Sequence, residues 1–410
     1  MDTTKNEIFE LLKESDVKFI RLGFCDLAGF QKNIVIAADE LPSAFEHGVS
    51  FDGYAIKGFG DIVESDLLLF PNPATITMLP WRPGPGGTAR FFCDIKTTDG
   101  EIFALDSRQI LKRTAEKCAK MGLVCMVGAK CEFYLFKTDE NGAPTKITID
   151  KGGYLDIAPL DKSEDIRREI CLTLEEIGIK PEKSHHGHGQ GQNEIDFKYS
   201  DVLNTADNLL SFKTMVKKIA ARNGLFASFL PKPLQNARGS GLHVNISLLQ
   251  EGESSKTAES FIAGILAKTR EMTLFLNPIA NSYERFGTYE APKQISWSHK
   301  NRSQLIRIPA EKSENARMEL RSPDPSINPY LAFALILEAG VYGIEQKLTL
   351  PPKGVANKLE QLPDNLAEAV ELARNSEFVR RAVGSELLDS YVKIKESETD
   401  FTVENYFEFV

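Results

Sequence analysis

No run of apolar residues in this 410-residue chain reaches the ~18 to 20 that a membrane-crossing helix needs. The opening MDTTKNEIFELLKESD is polar and amphipathic, without the apolar centre of a signal peptide. A cytoplasmic protein with no membrane partner is the expectation. No stretch of lysines and arginines occurs, and the formal net charge is −9, which argues against a nucleic-acid partner and favours small-molecule chemistry. A phosphate-bearing substrate would then need locally placed arginines or a bridging cation. The six cysteines, Cys25, Cys93, Cys118, Cys125, Cys131 and Cys171, form no CxxC pair and read as reduced thiols packed like small hydrophobes. No internal repeat or low-complexity segment is present, and 42% hydrophobic residues over this length suffice for a large core and two domains.

What is present divides near residue 103 into an α+β chain with domains at 1–103 and 104–410. From Val17 to Asp99, short β-type runs (VKFIRLGFCD, QKNIVIAAD, DLLLFPNP, ATITMLPW, ARFFCDIK) alternate with turn residues, which predicts a small β-rich domain. Within it Asp52 stands between Phe51 and Gly53, where a carboxylate can close a turn or carry chemistry. The segment RPGPGGT at 82–88 reads as a Pro/Gly loop ahead of the boundary. Beyond it, LDSRQILKRTAEKCAKMGL predicts a helix capped by Asp106 or Ser107, and SEDIRREICLTLEEIGI a second. TADNLLSFKTMVKKIAARNG predicts a third, closed by Gly224, and the chain from NPYLAFALILEAGVYGIEQ onward is helical.

Between these helices, polar residues recur at period two inside apolar strands: Lys130 and Glu132, Glu194 and Asp196, His243 and Asn245, Arg307, then Arg317, Glu319 and Arg321. Side chains two apart share a face. One such strand reads as an edge or a solvent face, whereas five predict a curved antiparallel sheet with a polar concave face and helices behind it. Carboxylates, imidazole and guanidinium together suit divalent cations beside a polyphosphate. Ahead of Glu194, the segment SHHGHGQGQNEIDFKY gathers three of the six histidines and a run of alternate glycines.

The motifs FDG at Phe51, GGYLDIAPLD at Gly152, GQNEIDFKY at Gly191, LPKPL and GSGLHVN before Asn245, NSYERFGTYEAP, ISWSHKNRSQLIRIP and ARMELRSPDPSINPYLAFA follow one another in a single order. In number and spacing the chain resembles glutamine synthetases of the bacterial type I class over its full length. The resemblance implies a β-grasp-like N-terminal domain and a catalytic domain that uses ATP and Mg²⁺ or Mn²⁺ to join glutamate and ammonia through γ-glutamyl phosphate. It assigns Glu132 and Glu194 to one metal site, and His243 and Glu319 to another. Arg302 and Arg321 would hold the transferring phosphoryl group, while Asn245, Ser247, Arg307 and Arg317 would serve the nucleotide. Gly239 and Arg285 would bind glutamate, Glu290 would shield the intermediate, and Tyr154 would stand beside Asp52, which reaches in from a neighbouring subunit. The implied assembly is a double-ring dodecamer, with DFTVENYFEFV as its ring-to-ring tail.

This chain departs from the family pattern at the chemistry. Lys130 stands where the metal strand carries the first Glu of Glu-x-Glu, and Gly187 where the histidine segment carries a metal-binding Glu. An ammonium cannot coordinate a metal. His186 or His188 is the expected replacement donor, because both flank the gap. Arg238, Asn245, Tyr54 and Ala55 alter the substrate pockets, Asp61 replaces a feedback-sensing arginine, and no tyrosine between Tyr342 and Tyr391 leaves an adenylylation loop. Three functions fit these residues: the ordinary ligase with an altered metal set, a ligase for another acid or amine, and a paralogue that keeps the fold without turnover.

Overall fold

Alternation of buried and exposed side chains builds two sheets. A computed structural model describes residues 4–60, 65–80, 86–249, 254–309, 316–353 and 360–410; Asp61 and residues 82–85 of the Pro/Gly loop lie outside them. Two compact units divide the chain, one of residues 1–109 with 173–179, the other of 110–172 with 180–410. The short 173–179 segment therefore joins the first unit, which sequence punctuation gave no sign of.

In the first unit, α1 (Lys5–Glu14) opens on a capping box between Thr4 and Glu7, and α2 (Leu41–His47) carries Pro42 in its first turn. Strands β1 (Val17–Cys25), β2 (Gln31–Ala37), β3 (Val49–Asp52), β4 (Asp66–Pro71), β5 (Thr77–Met78) and β6 (Gly87–Thr97) form one sheet of order β2-β1-β6-β4-β3, with β5 on β6. β1 and β6 are parallel, and Ile20, Leu22, Leu69 and Phe91 fill the core. Helix α3 (Ser107–Lys120), which belongs to the second unit from Ile110 onward, follows, its first turn held by Asp106, which accepts from the N–H of Arg108 at 3.0 Å.

The second unit is organised on β7 (Val124–Thr138), the long central strand of a ten-stranded sheet. Its other strands are β8 (Pro144–Thr148), β9 (Pro181–His186), β10 (Gln192–Phe197), β11 (Ser200–Asp201), β12 (Leu225–Ser228), β13 (Leu242–Leu249), β14 (Trp297–His299), β15 (Ile306–Ile308) and β16 (Ala316–Leu320). The main path runs β14-β15-β16-β13-β7-β10-β9, antiparallel except for β14 with β15. Cys131, Phe133 and Leu135 alternate along β7 and are buried on one face, where the Phe133 ring meets Phe212 at 6.1 Å. Phe212 belongs to α5 (Val202–Arg222), which lies behind the sheet after α4 (Glu164–Glu176). Losing a ring such as Phe133 would cost about 3–5 kcal/mol, so the helical face fixes which residues are left for the other. Helices α6 (Ser254–Leu276), α7 (Ala280–Tyr283) and α8 (Pro329–Glu345) complete the backing with the helices that follow. The C-terminal residues pack on their own sheet: Phe407 meets Phe136 and Phe226, and Phe229 N–H donates to the Val410 carbonyl. Among the described residues no helix is long and apolar enough to cross a membrane.

Candidate active site

Register on the open face of the second sheet decides which polar side chains meet, because directly opposed antiparallel residues share a face. Glu132 stands opposite Glu194, and Lys130 opposite both Asp196 on β10 and His243 on β13. Asn245 and Arg307 both stand opposite Glu319, and Ser247 opposite Arg317. The five strands read from period two are thus consecutive neighbours, β15-β16-β13-β7-β10, and their polar residues form one surface.

One corner of that surface is acidic. Glu132 Oε2 accepts from the Gly241 N–H at 2.6 Å, and burial together with the Glu194 charge pushes its carboxyl up to about 8. Burial would raise Glu194 too, but the contact with His185, whose Nε2 lies 3.6 Å from Oε1, and the charges of His185 and Lys130 outweigh it and hold it below the ordinary value. Two facing carboxylates, one of them pushed up by burial and by the charge of the other, are a donor set that an oxygen-seeking divalent cation relieves.

The adjoining corner is cationic. Glu319 accepts from Arg307 Nη1 at 2.7 Å through Oε2 and from Arg321 Nη1 at 3.1 Å through Oε1, with His243 Nδ1 at 3.6 Å. Burial holds the His243 imidazole well below its usual range, assisted by the charges of Arg321, Arg285, Lys130 and Arg302. Lys130 Nζ lies 3.6 Å from Asp196 Oδ2. Burial and then the Glu194 charge push the Asp196 carboxyl up to about 7, against the pull of Lys130.

Two pockets open on this surface. Glu132, Gly239, His243, Arg285, Glu290 and Arg321 line the first, together with His188 and Arg238. Arg285 is buried, donating to the carbonyls of Ser322 at 2.8 Å and Arg321 at 3.0 Å. A Cβ at Gly239 would stand 2.5 Å from the Pro231 carbonyl, so only glycine lets the chain pass there. Glu290 reaches to 3.8 Å from Arg321, Arg238 lies over the Tyr289 ring at 4.6 Å, and Tyr154 stacks on His188 at 4.1 Å. Asn245, Arg302, Arg307 and Arg317 line the second pocket, of about 160 Å³, with Lys130, Lys183 and Asp196. Its aromatic wall is Tyr199, over which Arg317 sits at 5.3 Å.

Residues 16–98 match the glutamine synthetase beta-Grasp domain and residues 104–408 the glutamine synthetase catalytic domain. The chain belongs to the glutamine synthetase family. Glutamine synthetases of Clostridium saccharobutylicum and Methanosarcina mazei are each 45% identical to it, over 97% of this chain and 95% and 94% of theirs. A solved structure titled GmaS/ADP complex superposes with a TM-score of 0.86 at 28% identity, covering 98% of both chains. The glutamine synthetase of Plasmodium falciparum, 24% identical with a TM-score of 0.86 over 99% of this chain and 97% of that one, shares the fold. The expected fold class, a β-grasp domain with a large curved-sheet catalytic domain, holds. Members of the family are ligases and generally use ATP and a divalent metal.

In this glutamine synthetase-family chain, His186, expected as a metal donor, is placed away from the Glu132–Glu194 pair. Alternation on β9 puts His185 opposite Glu194 and His186 opposite Asn193, so His186 turns to the other face. Its Nδ1 pairs with the Gly187 carbonyl at 2.8 Å and its Nε2 with Asp150 at 3.0 Å. Asp150, Asp161 and His186 lie close enough together to suggest a metal cluster. Yet Asp150 also accepts from the N–H groups of Lys162 and Gly191, and Asp161 is paired with Arg167, so the group is a closed hydrogen-bond network. Gly187 holds no spare volume, since a Cβ there would stand 2.8 Å from Gln192 Cγ. Gln192 spans the gap instead, reaching Glu132 at 3.4 Å and the Gly239 carbonyl at 3.1 Å. Sequence reasoning passed over Gln192 and this network, although Asp196 was legible from its period-two spacing. Asp52, in the first unit, caps its own turn by accepting from Tyr54 N–H at 3.0 Å.

Proposed function

We propose that the chain is an active ATP-dependent carboxylate–amine ligase, whose nominal reaction joins glutamate and ammonia. The observation that carries this reading is the joining, on one sheet face, of the Glu132–Glu194 pair and an arginine-lined acid pocket to a second, cation-rich pocket. The substrate carboxylate attacks the γ-phosphorus of ATP, the bond to ADP breaks, and the resulting acyl phosphate loses phosphate when the amine nitrogen attacks its carbonyl carbon. Arg321 and Arg302 offset the charge of the transferring group, which is where fixed cations accelerate phosphoryl transfer. Asn245, Ser247, Arg307 and Arg317 hold the nucleotide, and Gly239 and Arg285 the acid. Glu290 closes over the intermediate, while Tyr154 and, from a neighbouring copy, Asp52 serve the amine, in a cytoplasmic double-ring dodecamer. Mg²⁺ or Mn²⁺ held by Glu132 and Glu194 would supply charge neutralisation at the acyl phosphate. The fold neighbour solved with ADP, 28% identical, supports nucleotide binding.

Phosphate release from ATP with Mn²⁺, glutamate and ammonium is the test, and release that requires both acid and amine is expected. A panel of acids and amines separates the nominal reaction from a shifted specificity, which the Arg238–Tyr289 stack and Tyr54 favour. A paralogue without turnover is favoured by Lys130 and Gly187, and predicts no release with any pair.

A further inference from the structure

The donor set at the cationic corner does not fit a divalent ion. Of its two donors among the described residues, Glu319 is already paired with two arginines, and His243 faces Lys130 where a third donor would have to stand. We propose that Lys130 is a built-in cation that takes the place of a second metal ion and contacts the nucleotide polyphosphate directly. This rests on the ligase reading given above.

The placement supports it from three sides. Lys130 stands on the central strand between the two corners, opposite Asp196 on one side and His243 on the other. It is part-buried on the pocket face, with its ammonium 3.6 Å from Asp196. Among the described residues, the pocket it lines presents five cationic side chains against two carboxylates, Glu182 and Asp196, an excess that suits a polyphosphate without an added dication. At 3.6 Å the Lys130–Asp196 contact is longer than a hydrogen bond, so the ammonium's protons are left for a ligand. Direct contact from Lys130 would make nucleotide affinity depend little on divalent ions at this corner. The Glu132–Glu194 corner keeps its own ion for the chemical step.

Calorimetric titration of the purified protein with ADP, in EDTA and in Mg²⁺, tests this. The wild-type chain is expected to bind ADP in EDTA, and Lys130→Met to lose about 10- to 100-fold there, the worth of a charge-assisted hydrogen bond. Asp196→Asn leaves Lys130 in place and removes its competitor, so it should bind ADP more tightly in EDTA, which keeps the test open if Lys130→Met fails to fold. Wild-type binding only with Mg²⁺ would overturn the inference and leave the ligase reading standing. Undiminished binding by Lys130→Met, or unchanged binding by Asp196→Asn, would also overturn it. No ADP binding under either condition would remove the ligase reading and the inference together.

Discussion

Glu132 with Glu194 and His243 with Glu319 occupy adjoining strand pairs of one sheet, and both pairs offer a carboxylate on the same face. Their surroundings differ in sign. In the first pair burial and the Glu194 charge push Glu132 up to about 8; the second is surrounded by Arg307, Arg321 and Lys130. The residue types at a metal site therefore do not define it by themselves: the same carboxylate is a ligand where its neighbours leave it in excess and an ion-pair partner where they do not. Lys130 sits between the corners and sets the difference.

The largest effect that would break this comparison is expected from Arg321→Ala. Removing a buried cation from the transferring group should lower turnover about 10²- to 10³-fold. The same change leaves buried Glu319 with Arg307 as its remaining guanidinium partner, for a stability loss of about 1–3 kcal/mol, read by urea unfolding. Next comes Glu194→Gln, which should weaken Mn²⁺ binding by about 10- to 100-fold in a metal titration. Glu319→Gln should leave that titration unchanged, and equal losses from both variants would erase the contrast.

His186→Ala should cost about 1–3 kcal/mol, because Asp150 stays buried with one partner fewer, while Mn²⁺ affinity is unaltered. Burial raises the Asp150 carboxyl, but the His186 hydrogen bond and those from Lys162 and Gly191 outweigh it and bring it to about 2, so its contribution is full above about 4 and lost as pH falls. Burial lowers His186 from 6.5 and the Asp150 bond more than restores it, so its contribution is full below 6.5 and lost as pH rises through the raised value. The wild-type advantage over His186→Ala should accordingly be greatest between about pH 4 and 6.5. Smallest is the effect of Lys130→Glu on the metal-free protein: a like charge opposite Asp196 should cost about 1 kcal/mol. Added Mn²⁺ should recover it, by about 2.7 kcal/mol at 100 times the dissociation constant.

Period-two spacing made the polar face legible, since alternation alone places Lys130, Glu132, Glu194, Asp196, His243 and Asn245 to one side of their strands. Which strands adjoin was not legible, because β7, β13 and β16 are far apart in sequence and their pairing is a property of the packed sheet. The histidine run shows the limit most clearly. Of His185 and His186 only one can face Glu194, and the choice depends on the register of β9 against β10. The buried network of Asp150, Asp161 and Arg167 lies on loop and helix residues whose spacing follows no period, and so left no signal.

The central claim is that one corner holds a divalent ion and the other holds Lys130 in its stead. Equilibrium dialysis against Mn²⁺ in the presence of ADP counts the ions bound per subunit. One ion, lost in Glu194→Gln and retained in Glu319→Gln, is the predicted result; two ions in the wild-type chain would contradict it.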